Sequence, residues 1–431
     1  MFDTIFAPAT APGRAGVGII RVSGPLAHEV GIALCGSLPA ARTSALRLLR
    51  DPRDSSVIDQ ALILSFDADA SFTGEPVVEF HHHGSPAVLT QLMKVLGAFG
   101  GTRVAEAGEF TRRSLENGRL DLAQVEGLAD LIDSDTDEQR RQALRVMDGE
   151  LSRLVKTWRA NLLRAIALIE ATIDFADEDV PVDVFPEVRQ LLTYVSAGMN
   201  GQLAGAKAAK QVRTGFEVAI VGRPNSGKSS LINKLSRRDV ALISDIAGTT
   251  RDVIEVRLEV AGQLVTFLDT AGLRETSDVV EGLGVELAIK RATSADLRIF
   301  LLASDQDQPD DGVQPQSHDL IIYGKDDDGV RSGVSSHTGA GIDQLLDNIG
   351  RQLGDLTQGS SLLIRERHQQ AMMTAVEYIG VALSSIKMDS FVTELIAEDV
   401  RSAIMALDKL IGQIGVEDVL GEIFSSFCIG K

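Results

Sequence analysis

The spacing of apolar residues changes character along the chain. Up to about residue 117, short apolar runs alternate with Gly and Pro punctuation. VGIIRVSG (17–24), DQALILSF (59–66) and EPVVEFHHHG (75–84) read as strands, and PAVLTQLMKVLGAFG (86–100) as a helix stopping at Gly97 or Gly100. From about 120 to 210 the period lengthens. Leu151, Leu154, Val155, Trp158, Leu162, Ile166 and Ile169 recur at helical steps, the stripe of an amphipathic helix. Residues 213 to about 357 return to strands alternating with helices, as in a parallel α/β sheet. Near the end Val400, Ile404, Leu407, Leu410 and Ile411 fall on one helical face. Helical blocks on both sides of an α/β block predict an α/β domain inserted into a helical one. The expected fold class is multidomain α/β, divided at 1–117, 118–212, 213–357 and 358–431.

Composition narrows the class. Apolar residues make up 44% of 431, enough for several cores, and no long polar tract predicts disorder. Two cysteines, Cys35 and Cys428, cannot build a disulfide framework, so a reducing interior is the expected setting. The opening MFDTIFAPATAPGR has neither a basic nor an apolar signal region, and no apolar run reaches the roughly 20 residues that span a bilayer. A cytoplasmic protein without membrane association is expected. The formal charge of −19 weighs against a surface that coats nucleic acid throughout. HHH at 81–83 does not predict a metal site, because neighbouring strand residues point to opposite faces and no Cys or acidic partner has ligand spacing.

Chemistry concentrates in EVAIVGRPNSGKSSLINKL (217–235). An apolar strand is followed at once by Gly222-x-x-x-x-Gly227-Lys228-Ser229 and then by a helix, the context a phosphate-binding loop requires. Backbone N–H groups of Asn225, Ser226, Gly227 and their neighbours would face phosphate, helped by the positive helix end, with Ser230 just inside it. Lys228 would neutralise the β- and γ-phosphates and Ser229 would ligate Mg²⁺. LVTFLDTAG (264–272) delivers Asp269 to the Mg²⁺ shell and Gly272 to a γ-phosphate. GTTRD (248–252) offers Thr250 as a second Mg²⁺ ligand. This order fits a GTPase rather than a nucleotide kinase. Such GTPases read guanine with Asn-Lys-x-Asp after a strand. Here DLIIYGKDDD supplies Lys325 and Asp327 in register, with Gly324 in the Asn position, and weak support of that loop is expected. Ser335, Ser336 and His337 follow as the loop whose backbone would touch guanine O6. Leu273 stands where a water-orienting Gln is found in Ras-like enzymes, so another group must do that work.

These segments, with SFTGE, NGRLDLAQVEGLADLI, DIAGTTRDVIE, DTAGLRETSDVVEGLG and the terminal FCIGK, resemble the MnmE (TrmE) family of tRNA modification GTPases over essentially the whole chain. The resemblance implies an N-terminal α+β folate-binding domain, a helical domain, and an inserted Ras-like G domain. It implies a homodimer through the N-terminal domains. With a FAD-dependent partner, MnmG (GidA), in a heterotetramer or larger complex, such a protein installs a carboxymethylaminomethyl-type group at C5 of the wobble uridine, position 34, of certain tRNAs. A 5-formyl- or methylene-tetrahydrofolate supplies the one-carbon unit. Carried over, Asn225 would bind K⁺ through its side chain, and the backbone of Ser244, Ile246 and Thr249 would complete that site. Asp245, Ala247, Gly248, Thr270 and Ala271 would contact GTP, and Glu281 would orient water. Arg21, Glu79, Arg119 and Lys431 match the folate positions. Cys428, the fourth residue from the end of the chain, would serve the modification chemistry.

Two other classes compete. A K⁺-dependent ribosome-assembly GTPase shares the loop and Asn225 but should carry a KH-like RNA domain, and GQIG (412–415) lacks the basic flanks of one. A P-loop kinase predicts phosphotransfer and no K⁺ dependence.

Overall fold

The computed structural model describes residues 3–174, 183–238, 255–269, 289–304, 307–308, 312–331, 333–357, 359, 361–387, 392–412, 424, 427 and 430. They fall into two compact units, Met1–Ala129 with Asp408–Lys431, and Asp130–Leu407.

The first unit is built on a six-stranded sheet of β1 (Thr4–Pro8), β2 (Gly18–Ser23), β3 (Ser44–Arg50), β4 (Val57–Phe66), β5 (Val77–His82) and β6 (Thr102–Val104). The spatial order is β3-β4-β5-β2-β1-β6, antiparallel except where β1 pairs β6. Period-two alternation sends Phe6, Ile20, Val22, Ile63, Val78 and Phe80 to one face. There they pack against Val30 and Leu34 of α1 (Ala27–Cys35) and Leu92, Val95 and Leu96 of α2 (Pro86–Leu96). Each such fully buried side chain contributes roughly 1.5–3 kcal/mol. The same alternation places Arg21, Glu79 and His81 on the other face, where Ile5 and Ala7 meet Phe110 of α3 (Glu109–Glu116).

The predicted strands at 17–24, 59–66 and 75–84 are β2, β4 and β5, and the predicted helix ends at Gly97, whose N–H donates to Met93 O. The C-terminal positions are packed as well. Phe424 and Phe427 join Leu122 and Val125 of α4 (Leu122–Ile132). Gly430 adopts φ +106°, and a Cβ there would fall 1.9 Å from Pro8 O, so only glycine fits against the end of β1.

The second unit contains α5 (Asp137–Met147), α6 (Glu150–Asp174), α7 (Phe185–Ala204) and α8 (Ala206–Thr214) before its sheet. The sheet comprises β7 (Phe216–Val221), β8 (Glu255–Val260), β9 (Gln263–Asp269), β10 (Leu297–Leu302) and β11 (Leu320–Tyr323), with α9 (Lys228–Leu235) and α10 (Ile342–Thr357). Helices α11 (Glu366–Ser385) and α12 (Thr393–Ile411) follow. The 151–169 stripe lies in α6, with Leu151, Val155, Trp158, Leu162, Ile166 and Ile169 buried; α6 and α11 both pack on α7.

The sheet order is β11-β10-β7-β9-β8, parallel except at β8/β9. Its central strands are covered on both faces, which explains runs such as FEVAIV and LRIFLL. Leu231, Ile232, Ile342, Leu345 and Ile349 seal one face; Ala292, Ala295 and Val313 seal the other. The chain is thus an N-terminal α+β unit followed by helices that flank a Ras-like α/β sheet. Among the described residues, no helix is long and apolar enough to cross a membrane.

Candidate nucleotide site

The buried strand β7 ends at Val221, and the loop 222–227 turns directly into α9. Gly222 is hemmed in, since a Cβ there would lie 2.5 Å from Leu301 O on the neighbouring strand β10. Asn225 holds φ +62° and Gly227 φ +104°, left-handed conformations that turn the loop sharply, and Ser226 N donates to Arg223 O at 3.1 Å within it. The Ser226 Oγ is buried and, among the described residues, has no hydrogen-bond partner. A buried hydroxyl lacking a protein partner suits an outside acceptor such as a phosphate oxygen.

Lys228, also buried, donates through Nζ to Gly222 O and to Arg223 O (2.9 Å), which keeps its ammonium over the loop. Ser229 Oγ donates to Asp269 Oδ2 at 2.8 Å. Asp269 is 1% exposed at the end of β9, and its Cα is in register with Ile220 of β7. Two residues 40 positions apart, one expected to ligate Mg²⁺ and the other to hold its shell, therefore meet. Hydroxyl and carboxylate oxygens are the hard donors that Mg²⁺ takes.

The base end is formed by the loop after β11. Lys325 is exposed and has φ +58°, rare for a long side chain. A Cβ on Gly227 would lie 3.8 Å from its Cγ, so the lysine stem crosses the phosphate loop. Asp327 accepts from Ser335 Oγ at 2.5 Å, and the same Oγ accepts from Thr338 N at 2.9 Å. Asp327, Lys325, Ser336 and His337 line a cavity of about 390 Å³ with Gly227, Ser230, Asn233, Lys234 and Arg237. The cavity joins the end of the phosphate loop to the predicted guanine loop. Ser335 is fully buried and acts on the cavity through Asp327.

Asn233, Lys234 and Arg237 were missed by the sequence reading, although a signal existed. Ser230, Asn233 and Lys234 fall at i, i+3 and i+4 of α9, on the polar face opposite Leu231, Ile232 and Leu235, and Arg237 continues that spacing in the turn that follows the helix. Asp326 was also missed.

In the first unit, Arg21 Nε donates to Glu79 Oε1 at 2.9 Å, and His81 Nε2 lies 3.1 Å from Glu79 Oε2. The Arg21 guanidinium lies 5.9 Å from the Phe72 ring centre and 5.7 Å from that of Phe110. Burial alone would raise the Glu79 carboxyl. The His81 hydrogen bond and the Arg21 charge overcome it and hold the carboxyl below its ordinary value. Arg119 instead donates to the backbone oxygens of Asp69 and Ser71, beside Phe72. The three histidines diverge: His81 meets Glu79, His82 is buried, and His83 bonds Asp59. Among the described residues no cluster of three or more His, Cys, Asp and Glu side chains could hold a metal ion. Ser244, Asp245, Ile246, Ala247, Gly248, Thr249, Thr250, Thr270, Ala271, Gly272, Leu273, Glu281, Cys428 and Lys431 lie outside the described residues.

A family model described as "MnmE helical domain" matches residues 122–428, and one described as "GTP-binding protein TrmE N-terminus" matches residues 4–119. The chain is 53% identical over 431 residues to a Roseobacter denitrificans protein named tRNA modification GTPase MnmE, with 100% of both chains covered. It is 53% identical over 433 residues to a protein of the same name from Cereibacter sphaeroides, and 46% over 434 residues to one from Paracoccus denitrificans, each again at 100% coverage of both chains. The chain belongs to the MnmE (TrmE) family of GTPases.

Proposed function

We propose that this GTPase of tRNA modification is K⁺-dependent and works with a FAD-dependent partner of the MnmG (GidA) kind. Together they install a carboxymethylaminomethyl-type group at C5 of uridine 34, drawing one carbon from 5-formyl- or methylene-tetrahydrofolate. The observation that carries the nucleotide half is the Ser229–Asp269 contact beside a buried Lys228.

Lys228 would place positive charge against the β- and γ-phosphates, while Ser229, Thr250 and the Asp269 shell would hold Mg²⁺. That ion, when bound, neutralises charge developing on the transferred phosphoryl group. Asp327 would accept from the guanine edge, with Lys325 beneath. Asn225 is exposed, and its amide makes no hydrogen bond to another described residue, so its oxygen is available to a cation. With backbone carbonyls of Ser244, Ile246 and Thr249 it would hold K⁺, which supplies the charge that an arginine finger gives elsewhere. Glu281 would orient the water that Leu273 cannot.

Arg21 and Glu79 suit a folate. The guanidinium can pair with a carboxylate and Glu79 can accept N–H groups of a pterin edge. Lys431 would extend this set; Arg119 would act through the 69–71 segment. Leu46 and Leu48 on edge strand β3 and Leu62 on β4 are exposed and adjacent, which favours pairing of two N-terminal domains in a homodimer. The finer domain limits at 117, 212 and 357 belong to the same reading, as does a cytoplasmic location.

The test is nucleoside analysis of tRNA from cells carrying Cys428→Ser. Modified uridine should be absent while GTP hydrolysis by the purified variant stays within about twofold of wild type. Wild-type levels of modified nucleoside would remove Cys428 from the chemistry.

A further inference from the structure

Position 324 is where GTPases of this type carry an asparagine side chain that braces the guanine loop, and here it is glycine. The φ of Gly324 lies outside the left-handed region, so backbone torsion does not demand glycine. Space does. A Cβ at 324 would fall 2.6 Å from Ser226 O in the phosphate loop and 3.1 Å from Leu301 Cδ1. The two nucleotide loops therefore touch backbone to backbone at this point, which leaves no room for the usual brace.

What holds the loop instead is the next residue but one. Asp326 is 7% exposed, and its carboxylate accepts from Val330 N (3.0 Å), Arg331 N (3.2 Å) and Gly333 N (2.8 Å). Its own N–H donates to Val334 O at 3.2 Å. These bonds close the 326–333 loop and seat Val334 beside Gly324, to which it is bridged. Ser335, the partner of Asp327, is the next residue. The hydrogen bond from Gly333, with those from Arg331 and Val330, outweighs burial and keeps this carboxyl below its ordinary value, so it is ionised at neutral pH. Charge-assisted bonds of this kind are about twice as strong as neutral ones. Lys325, in the left-handed region, stands between the glycine and this carboxylate.

We propose that Asp326 is the positioning residue of the guanine loop, replacing the missing asparagine brace by binding three backbone N–H groups while Gly324 docks on the phosphate loop. The proposal rests on Asp327 as the group that reads guanine. An ordinary turn cap would stabilise the fold without affecting base choice. A positioning residue should act on guanine discrimination.

The experiment is calorimetric titration of full-length protein with GDP, ADP and XDP. Asp326→Ala should weaken GDP binding at least about tenfold, or about 1.4 kcal/mol, while ADP binding changes less than about twofold. Gly324→Asn, which restores the usual residue, should weaken GDP binding about tenfold rather than tighten it. Asp326→Asn, isosteric and able to accept fewer bonds, should give a smaller loss with the same base preference, and serves if the alanine variant does not fold. Equal losses of GDP and ADP in Asp326→Ala, or tighter GDP binding in Gly324→Asn, would overturn the proposal. Asp327→Asn separates the underlying reading: it should shift preference from GDP to XDP. In that background Asp326→Ala should weaken XDP by the same factor as GDP in wild type. Failure of the base switch alone would count against Asp327, whereas a retained switch with no effect of Asp326→Ala would count against Asp326.

Discussion

Arg298 lies inside the apolar strand LRIFLL and is nonetheless 2% exposed. Its Nε donates to Asp319 Oδ2 at 2.8 Å and its Nη1 to Thr293 O at 2.9 Å, so the strand tolerates a charge only because the charge is paired. Burial would raise the Asp319 carboxyl, but Arg298 and the Gln316 and Arg298 N–H groups hold it below its ordinary value. Arg298→Met should lower stability by about 3–5 kcal/mol in urea unfolding, because it leaves a buried carboxylate unpaired. A loss under about 1 kcal/mol would mean that the pair is solvated. Glu79 gives a pH test of the same kind. Its folded value is depressed, so the native state binds fewer protons than the unfolded chain and stability rises with pH across that window. The contribution is full above the ordinary value of 4.5 and is lost as pH falls through the lower folded value. Glu79→Gln should therefore flatten the acid limb of a stability–pH curve and leave the limb above neutrality unchanged. An unaltered acid limb would show that Arg21 and His81 do not hold the carboxylate. None of these pairings was legible beforehand. Arg21 and Glu79 lie 58 positions apart and meet only through the β2/β5 register. The bonds of Asp326 go to backbone N–H groups, which leave no mark in sequence.

Elements were read more easily where one period dominated. The α6 stripe and the strand–loop–helix around Lys228 were visible because burial on one face, or phosphate binding at a helix start, forces a local pattern. The apolar pattern does not mark β1, β3 and β6 as strands. In β3, SALRLLR turns Leu46 and Leu48 outward and buries Leu49, so its apolar residues do not mark its core face. The phosphate loop and β9 were each legible, and only their parallel pairing through β7 brings Ser229 to Asp269. Ser229→Ala tests that junction. It should raise the Mg²⁺ concentration needed for half-maximal GTP hydrolysis about tenfold or more, with little change in nucleotide affinity when Mg²⁺ is omitted. An unchanged Mg²⁺ requirement would make the Ser229–Asp269 bond purely structural.

At the scale of the molecule, a sheet unit bearing the Arg21–Glu79 pair and a GTPase sheet lie in one acidic chain of net charge −19. Such a charge opposes broad electrostatic attraction to tRNA, so recognition must rest on a local surface or a partner. Family membership was legible because its motifs are spread over the full length; the Arg21–Glu79 pair, proposed above to meet a folate, was not, since it forms only through the β2/β5 register. In the proposed function a K⁺ ion with Asn225 as a ligand supplies the positive charge that an arginine finger gives elsewhere, while Glu281 orients the water that Leu273 cannot. The most direct measurement is the steady-state rate of GTP hydrolysis by full-length protein in KCl and in NaCl at equal ionic strength, with ATP as control. The rate should be at least about tenfold higher in K⁺, at least about 1.4 kcal/mol off the barrier, with ATP hydrolysed poorly in both salts. Equal GTPase rates in the two salts would contradict this role for K⁺.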